Sequence, residues 1–364
     1  MRLALDARLT YYARGGISDY IRHIAAELPA LDPSNEYLIL HSRKARQALA
    51  MPANARRLDC WTPSHHGFER AALAVELWPQ RLDLLHSPDF IPPLGGHWRS
   101  IITIHDLTFL RYPGFLTSDS RRYYDGQIHA AVRRADAILA DSSATRDDIV
   151  TLLGVPPELI TVVHLAPDPA FTPVTSELVT TMRARHNLPR EYILFVGTFE
   201  PRKNLDGLLT AYATLPDAPP LVLAGRRGWL FDETQSLILK LHLSGRVRLL
   251  EEFPSPDLPA LYSGAAVFVL PSHYEGFGLP VLEAMACGAP VIISDRASLP
   301  EIAGDHALRV DPGDPAGIAQ AIETVLADSS FRSSLIARGF DQVKKFSWRK
   351  TAQETLAVYR GLIR

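Results

Sequence analysis

Two glutamates, Glu275 and Glu283, stand eight positions apart in the stretch "SHYEGFGLPVLEAMACGAP". Carboxylates at this spacing are compatible with an acid/base pair, metal ligands, groups that bind hydroxyls, or plain surface charges. The apolar run Val267–Leu270 predicts a strand before them, and Leu279–Ala286 predicts a helix that carries Glu283. Glu275 is therefore expected in the strand-to-helix loop, and Glu283 about one turn into the helix, directed back toward the same crevice.

Glycines between the two glutamates favour a ligand held by the backbone. Gly276 and Gly278 lack a Cβ, so the chain there can approach a ligand closely. Their amides and the N-terminus of the following helix suit phosphate oxygens. A metal site is not favoured, because no His or Cys clusters with the glutamates, although one carboxylate could assist a metal ion held by phosphates.

Two cationic side chains occupy a second loop, "VGTFEPRKNL", after the predicted strand Tyr192–Val196. Arg202 and Lys203 stand just ahead of the predicted helix Leu205–Tyr212, whose N-terminus favours anions. The chain has only six lysines against 32 arginines, so a lysine here does not reflect a lysine-rich surface. The pattern favours an anion-binding loop, and a solvated pair of charges beside a helix start is the alternative.

Four further residues stand at loop or strand ends where a ligand could reach them: Gly16, His105, Arg226 and Phe253. The histidine could bond a sugar hydroxyl or steady a developing charge, the arginine could meet a phosphate or a base, and the phenylalanine could pack near a nucleobase. Each has a structural alternative. These are a turn glycine, a strand-end histidine, an exposed arginine in a turn and a core phenylalanine.

The elements that must position these residues alternate along the chain. Short apolar runs separated by amphipathic segments predict an α/β fold with mainly parallel sheets. Twelve runs are predicted as strands: Leu3–Leu5, Tyr37–Leu40, Leu82–Leu85, Ile101–Ile104, Ala137–Ala140, Ile160–Val163, Tyr192–Val196, Leu221–Ala224, Val247–Leu250, Val267–Leu270, Val291–Ser294 and Ala307–Val310. The proline-rich segment Leu165–Glu177 predicts a linker. A chain of 364 residues divided by this linker is expected to form two Rossmann-like domains.

Composition excludes several classes of protein. A net charge of −2, with basic residues spread over both halves, argues against a nucleic-acid binder. Two distant cysteines, an early Asp6 and the lack of a long apolar run favour a cytoplasmic protein. Contact with a membrane surface stays open, although the basic pairs Arg121–Arg122 and Arg133–Arg134 are interpreted as a solvated helix face.

These motifs together resemble the family 4 retaining glycosyltransferases of the GT-B fold, with greatest similarity to bacterial mannosyltransferase-like members of group 1. The resemblance rests on E-x7-E around "EGFGLP", on "VGTFEPRKN", on "GGI" at the first helix and on the closing "FSWRKTAQETLAVYR". It covers essentially the whole chain. It implies an acceptor-binding domain over residues 1–175, a nucleotide-sugar domain over 176–346, a deep cleft between them, and a helix in 347–364 that crosses back to the first domain.

The resemblance also implies roles for the candidate residues. Glu275 would hold donor-sugar hydroxyls, Glu283 the ribose hydroxyls, and His105 would lie against the transferred sugar near its anomeric carbon. The catalytic set would be Glu275, His105 and Lys203. The other donor-binding positions would meet the sugar, the diphosphate or the base: Gly16, Arg202, Lys203, Arg226, Phe253, Gly276, Phe277, Gly278 and Leu279.

Two positions depart from the family pattern. Thr198 stands where many relatives carry an arginine after the glycine of the phosphate loop, which puts the strength of diphosphate binding in question. His164 stands where relatives often have proline, at a linker position of little consequence. Loops 60–70 and 86–96 are expected to shape the acceptor site, and Trp61, His65 and His66 could contact a sugar there, a plain surface loop being the alternative.

The implied activity is transfer of a sugar, with mannose from GDP-mannose preferred and dTDP- or UDP-sugars left open. The acceptor would be a saccharide or lipid-linked saccharide, the anomeric configuration would be retained, and no metal or other cofactor would be required. Fixed cations and helix-end amides would stabilise the departing nucleoside diphosphate. The alternatives are a nucleotide-sugar epimerase or a phosphorylase on the same fold, or a non-catalytic nucleotide-binding module.

Overall fold

A computed structural model describes residues 1–12, 15–47, 49–115, 118–228 and 231–363, with the backbone alone described over 118–121. The chain folds as two compact units. The first comprises Met1–Pro113, Ser118–Leu165 and Ser347–Arg364, and the second comprises Gly114–Thr117 and Ala166–Phe346. The boundary at residue 165 lies ten positions before the boundary that the sequence suggests at residue 175.

The first unit contains a parallel sheet of seven strands in the order β3-β2-β1-β4-β5-β6-β7. Its inner strands are apolar on both faces because helices cover both sides. The strands are β1 Arg2–Asp6, β2 Glu36–Ser42, β3 Ala55–Cys60, β4 Leu84–Ser87, β5 Arg99–Ile104, β6 Ala137–Ala140 and β7 Ile160–Val162.

Helices of the first unit include the last helix of the chain. The α-helices are α1 Leu9–Tyr12, α2 Gly16–Leu31, α3 Glu69–Leu77, α4 Thr108–Arg111, α5 Ser118–Arg134, α6 Ser143–Leu153 and α15 Trp348–Leu362. Helix α15 packs against α2, and the Trp348 ring stacks on His23 with centroids 4.3 Å apart. Thr351 Oγ1 also donates to the carbonyl of His164 at 2.7 Å, which ties α15 to the end of the first unit.

The second unit contains a parallel sheet of six strands in the order β10-β9-β8-β11-β12-β13. The strands are β8 Ile193–Val196, β9 Leu221–Gly225, β10 Val247–Glu251, β11 Val267–Leu270, β12 Val291–Ser294 and β13 Leu308–Val310. The helices are α7 Ser176–Arg185, α8 Leu205–Ala213, α9 Phe231–Lys240, α10 Leu258–Ser263, α11 Leu279–Ala286, α12 Leu299–Ala303, α13 Pro315–Ala327 and α14 Ser329–Val343.

Two strands differ from what the sequence predicts. Strand β3 has no counterpart among the predicted strands, because "ARRLDC" mixes charged with apolar residues and lies at the edge of its sheet, where charges are tolerated. Strand β4 begins and ends two residues later than the predicted Leu82–Leu85. Helix α6 begins at Ser143, because the Ser142 side chain caps it by accepting from the Thr145 amide.

Each sheet has one point where the strand order reverses direction along the chain. In the first unit that point lies between β1 and β4, and in the second it lies between β8 and β11. Open parallel sheets bind ligands in the crevice outside the carboxyl ends of the strands at this point. The residues that follow these four strands are therefore the first place to look for a site in each unit.

Candidate functional site

Glu275 lies in the loop after β11, at the switch point of the second sheet. Although it is only 5% exposed, its carboxylate is surrounded by donors. Lys203 Nζ and Arg202 Nη1 each approach it to 2.6 Å, and the Ser272 hydroxyl donates to it at 2.7 Å. The structure thus brings together three of the predicted site residues, from the loops after β8 and β11.

The electrostatic state of this carboxylate follows from its neighbours. Burial raises the pKa of Glu275, but the charges of Arg202 and Lys203 outweigh burial and lower the pKa to about 2. Burial and the nearby Arg202 guanidinium lower the pKa of Lys203. The Glu275 carboxylate acts in the opposite direction, but the net shift is downward. Glu275 is therefore an anion at neutral pH and not a proton donor.

Both cations are already paired with carboxylates. Arg202 also donates from Nε and Nη2 to Glu200 Oε1, at 3.0 and 2.6 Å, so it bridges two carboxylates. Arg202 and Lys203 together balance Glu200 and Glu275, which leaves this four-residue charge cluster neutral. The sequence analysis expected the two cations to neutralise a diphosphate. In the structure, both already form ion pairs with Glu200 or Glu275.

Asn204 and Ser298 hold the loops that carry the cluster, and the sequence did not single them out. Asn204 caps α8 and also donates from Nδ2 to the carbonyls of Pro271 and Pro312, at 3.0 and 2.8 Å. The Ser298 hydroxyl lies 2.8 and 2.9 Å from the carbonyls of Glu275 and Phe277. The signal for Asn204 was its place at the end of "EPRKN", before a helix, where Asn is a favoured cap.

The glycine loop has the conformation that its composition indicates. Gly278 has φ of 103° and precedes Leu279, the first residue of α11. A Cβ there would come within 2.5 Å of Leu299 Cδ2, so this position requires glycine for both reasons. Gly276 and Phe277 are buried beside it, and the Phe277 ring packs edge-on against Phe346.

Glu283, the second carboxylate of the pair, lies on α11 and is only partly exposed. Its Oε2 accepts a hydrogen bond from Tyr262 Oη at 2.8 Å. Burial, reinforced by this carboxylate, raises the pKa of Tyr262, so the phenol remains a donor. The contact fixes the direction of Glu283, and Glu275 and Glu283 are held by separate sets of partners.

Arg226 and Phe253 follow the carboxyl ends of β9 and β10. Arg226 is exposed, and Phe253 is half-buried with its ring centroid 4.5 Å from that of His186. Gly225 allows the β9 loop to pass close to the β8 loop, since a Cβ there would lie 1.8 Å from the carbonyl oxygen of Gly197. Both side chains thus lie at the same edge of the sheet as the charge cluster.

In the first unit, Gly16 and His105 lie at helix and strand ends. Gly16 is the exposed first residue of α2. His105 follows β5, and both of its ring nitrogens are engaged, Nδ1 with Asp141 Oδ2 at 2.6 Å and Nε2 with the carbonyl of Pro88 at 2.8 Å. The ring also meets the Tyr20 ring edge-on at 5.3 Å.

His105 is held as a cation. Burial alone would lower its pKa, but the Asp141 carboxylate outweighs burial and raises the pKa to about 9. An imidazolium that donates from both nitrogens has no lone pair with which to accept a proton. His105 in this state supplies positive charge and does not act as a general base.

Comparison with known proteins identifies the chain. "Glycosyltransferase Family 4" matches residues 14–171, and "Glycosyl transferases group 1" matches residues 180–342. O-antigen chain mannosyltransferase B of Escherichia coli is 38% identical over 284 residues, which are 77% of this chain and 74% of that protein. The chain belongs to the family 4, group 1 glycosyltransferases.

A second relative agrees with this family assignment, and a solved structure shows the same fold. The serotype-specific mannosyltransferase WbdA of Escherichia coli is 33% identical over 288 residues. The aligned part is 75% of this chain but only 35% of WbdA. Sucrose-phosphate synthase from Thermosynechococcus elongatus has a TM-score of 0.80 at 23% identity and covers 99% of this chain and 98% of its own. That likeness confirms the GT-B fold.

Asp141 offers a test of the charge on the glycosyltransferase's His105. In Asp141→Asn the opposing charge is lost and burial dominates, so the pKa of His105 should fall from about 9 to below its usual 6.5. The measurement is an NMR titration of the His105 ring in both proteins, with the exposed His242 as an internal reference that the substitution should not affect. An unchanged His105 titration would show that Asp141 does not hold the charge.

The expected acceptor loops occupy two different environments. Trp61 is 71% exposed, with the Arg43 guanidinium 3.8 Å above its ring. His65 and His66 are both exposed; His66 lies beside Phe68, and His65 bonds Asp89. Of the basic pairs, Arg133 and Arg134 lie in the last turn of α5, and the side chain of Arg121 is outside the described residues.

The described residues of the glycosyltransferase contain neither a metal-binding cluster nor a membrane-spanning helix. Within them no group of three or more His, Cys, Asp or Glu side chains is arranged to hold a metal ion. No described helix combines the length and the apolar composition needed to cross a bilayer. Cys60 and Cys287 are both buried and free.

Proposed function

We propose that this glycosyltransferase moves mannose from GDP-mannose to a saccharide or lipid-linked saccharide acceptor in bacterial polysaccharide assembly, with retention of anomeric configuration. The observation that carries the proposal is the buried Glu275, held by Lys203 and Arg202 at the switch point of the second sheet. Mannose is supported by the two Escherichia coli relatives, both of which are mannosyltransferases by name.

The charge cluster suits the donor at both of its ends. A carboxylate kept ionised by two cations accepts hydrogen bonds from sugar hydroxyls, which is the role proposed for Glu275. The diphosphate would share Arg202 and Lys203 with their carboxylates. Because that cluster is already neutral, the amides of the 276–278 loop and the N-terminus of α11 would supply much of the remaining stabilisation.

The other donor-binding roles are assigned by position. Glu283, fixed by Tyr262, would bind the ribose, and Arg226 and Phe253 would border the phosphates and the base. Gly16 would approach the phosphates or the acceptor, and His105 would place a positive charge beside the transferred sugar.

The chemistry proposed is stabilisation of a leaving group. Cleavage of the bond between sugar and phosphate builds negative charge on the departing nucleoside diphosphate, which preorganised cations and amides stabilise. The acceptor hydroxyl would enter on the face that the phosphate leaves, and its proton would pass to the departing phosphate. This scheme uses no protein nucleophile, no metal ion and no other cofactor. Contact with a membrane surface remains a proposal tied to a lipid-linked acceptor.

A thermal-shift comparison of GDP, UDP, dTDP and ADP tests the donor. GDP is expected to raise the Tm by roughly 5–10 °C at about 100 times its Kd, since ligand binding to the native state adds about 2.7 kcal/mol. The other three should give smaller shifts. A larger Tm shift with UDP or dTDP would contradict GDP-mannose as the donor, but it would not contradict the proposed sugar transfer.

Product analysis tests the reaction itself. NMR of the glycoside made from GDP-α-mannose should show the α-anomer, and a β-linked product would contradict retention. Conversion of the nucleotide sugar without any acceptor would indicate an epimerase, and use of free phosphate would indicate a phosphorylase. Binding without turnover over a wide acceptor panel would indicate a nucleotide-binding module.

A further inference from the structure

An exposed apolar stripe runs along helix α3 of the first unit. Phe68 immediately precedes the helix, Val75 lies about two turns further on, and each is 76% exposed. Ala71 and Ala72 lie between them on the same face and are also exposed. Trp78, three positions after Val75, begins the short 3₁₀ turn that follows the helix and is 62% exposed. We call these five apolar residues the α3 stripe.

The opposite face of α3 packs into the core of the first unit. Leu73 and Leu77 are fully buried and belong to a hydrophobic cluster with Leu85 and Trp98. A helix that covers one side of a sheet normally turns charged or polar residues toward solvent. Because the solvent side of α3 is apolar as well, the α3 stripe is a candidate contact for a partner outside this chain.

Two more apolar side chains widen the α3 stripe. Trp61 is 71% exposed, and its amide donates to Glu76 Oε1 at 2.6 Å, which holds Trp61 beside one edge of α3. Leu94 is 57% exposed, and its amide donates to the carbonyl of Arg70 at 3.0 Å. Because Arg70 and Glu76 lie on opposite sides of the stripe, the apolar surface extends past the helix in both directions.

Exposed cations border the stripe on the side of Trp61. They belong to the loop after β2, and the Arg43 guanidinium lies 3.8 Å from the centre of the Trp61 ring. Lys44 and Arg46 of the same loop are exposed as well. The Glu76 carboxylate at this edge is engaged by the amides of Trp61 and Thr62, at 2.6 and 3.1 Å. The cations of this border therefore point to an anionic partner.

A further cation lies on the side of Leu94. Burial and the charge of Arg133 lower the pKa of Arg70, which places Arg133 close to that edge of α3. Arg133 is exposed at the end of α5. The α3 stripe thus has positive charge along both of its long borders.

We infer that the α3 stripe and the cations along its borders dock this glycosyltransferase onto a bilayer surface that carries anionic phospholipids. Aromatic and aliphatic side chains enter the boundary between headgroups and acyl chains, while arginine and lysine meet the lipid phosphates. The inference rests on the proposed transfer to a lipid-linked acceptor, for which it assigns the surface that contacts the membrane.

A second copy of the chain fits this surface less well. Closed dimers pair the same surface of both copies. The cations along the borders of one α3 stripe would then meet those of the other stripe and repel them. An anionic bilayer instead offers apolar and negatively charged groups to the same surface.

The test measures co-sedimentation of the full chain with vesicles. One set contains equal parts of phosphatidylglycerol and phosphatidylcholine, and the other contains phosphatidylcholine alone. Each cation near an anionic surface contributes about fivefold in affinity, so binding to the mixed vesicles should be at least about 100-fold tighter and should weaken as salt is added. Equal binding to both sets, or no binding to either, would overturn the inference.

Val75→Glu locates the binding on the α3 stripe. The substitution puts a carboxylate in the middle of the stripe and is expected to weaken binding to the mixed vesicles at least about 10-fold. Because Val75 is exposed, the Tm should stay close to that of the parent. The matched control Leu239→Glu makes the same change at an exposed leucine of α9 in the second unit and should bind like the parent. Parent-like binding by Val75→Glu would contradict the inference.

A double substitution tests the charged border. Arg43→Gln together with Lys44→Gln removes two cations and is expected to weaken binding to the mixed vesicles by about 30-fold. The control pair, Lys344→Gln with Lys345→Gln, removes two exposed cations from the second unit and should leave binding unchanged. Equal losses in the two double variants would show that net charge, rather than this border, attracts the protein to lipid.

Two further readouts separate the hypotheses. Sedimentation velocity detects a second copy, and a dimer that Val75→Glu dissociates, without vesicle binding by the parent, would overturn the lipid surface. Tm shifts with GDP, UDP, dTDP and ADP report the donor site independently of lipid. If no nucleotide shifts the Tm but the parent binds mixed vesicles, the proposed transfer is lost and the docking surface stands. If a nucleotide binds and the vesicles do not, only the docking surface is lost.

Discussion

Lys203→Ala is expected to lower kcat/KM for sugar transfer by about 10²- to 10³-fold, the loss typical of removing one preorganised group from a developing charge. The ammonium lies 2.6 Å from Glu275, and in the proposed mechanism it acts on both the sugar and the diphosphate. Steady-state kinetics with GDP-mannose and a thermal-shift titration with GDP measure the effect.

The protein should remain folded in this variant. Glu275 keeps the Arg202 guanidinium and the Ser272 hydroxyl as partners after Lys203 is truncated, but Arg202 then faces two carboxylates, Glu200 and Glu275. The loss of stability is expected to be about 3–5 kcal/mol, the cost of removing one partner of a buried ion pair. Lys240→Ala is the control, because Lys240 is an exposed lysine at the end of α9 in the same unit. Equal activities of the two variants would remove Lys203 from the catalytic set.

Glu275→Gln is expected to reduce both activity and stability. The amide keeps the shape of the side chain but leaves two cations, Arg202 and Lys203, with one carboxylate, Glu200, which pairs with Arg202. Breaking a buried ion pair in this way costs about 3–5 kcal/mol. Activity should fall by about 10²-fold or more, because the sugar hydroxyls lose a charged acceptor.

The acid dependence of stability gives this prediction a second readout. The folded-state pKa of Glu275, about 2, is below the ordinary 4.5, so the carboxylate stabilises the fold above about pH 4.5. That stabilisation is lost as the pH falls from 4.5 toward 2, and Glu275→Gln should lack this part of the acid transition. Urea unfolding of both proteins at pH 7 and at low pH measures it. Glu323→Gln, an exposed change on α13, should unfold like the parent.

The sequence alone predicted the fold and the two loops that bring Arg202, Lys203 and Glu275 together. Apolar runs place strands by periodicity, and parallel strands require their loops to meet at the carboxyl edge. Gly278 has a positive φ, which a glycine adopts at little cost, but the sequence did not distinguish it from Gly276. The charged edge strand β3 was missed because edges accept polar residues that central strands exclude.

Only the tertiary structure decided which charges pair. Arg202 and Lys203 stand more than 70 positions from Glu275 in the chain, yet they meet it at 2.6 Å through the adjacency of β8 and β11. Likewise, His105 becomes a cation because β6 brings Asp141 beside it. Spacing predicts which face or loop a side chain occupies, but its protonation and partners depend on long-range contacts and burial, which no local pattern encodes.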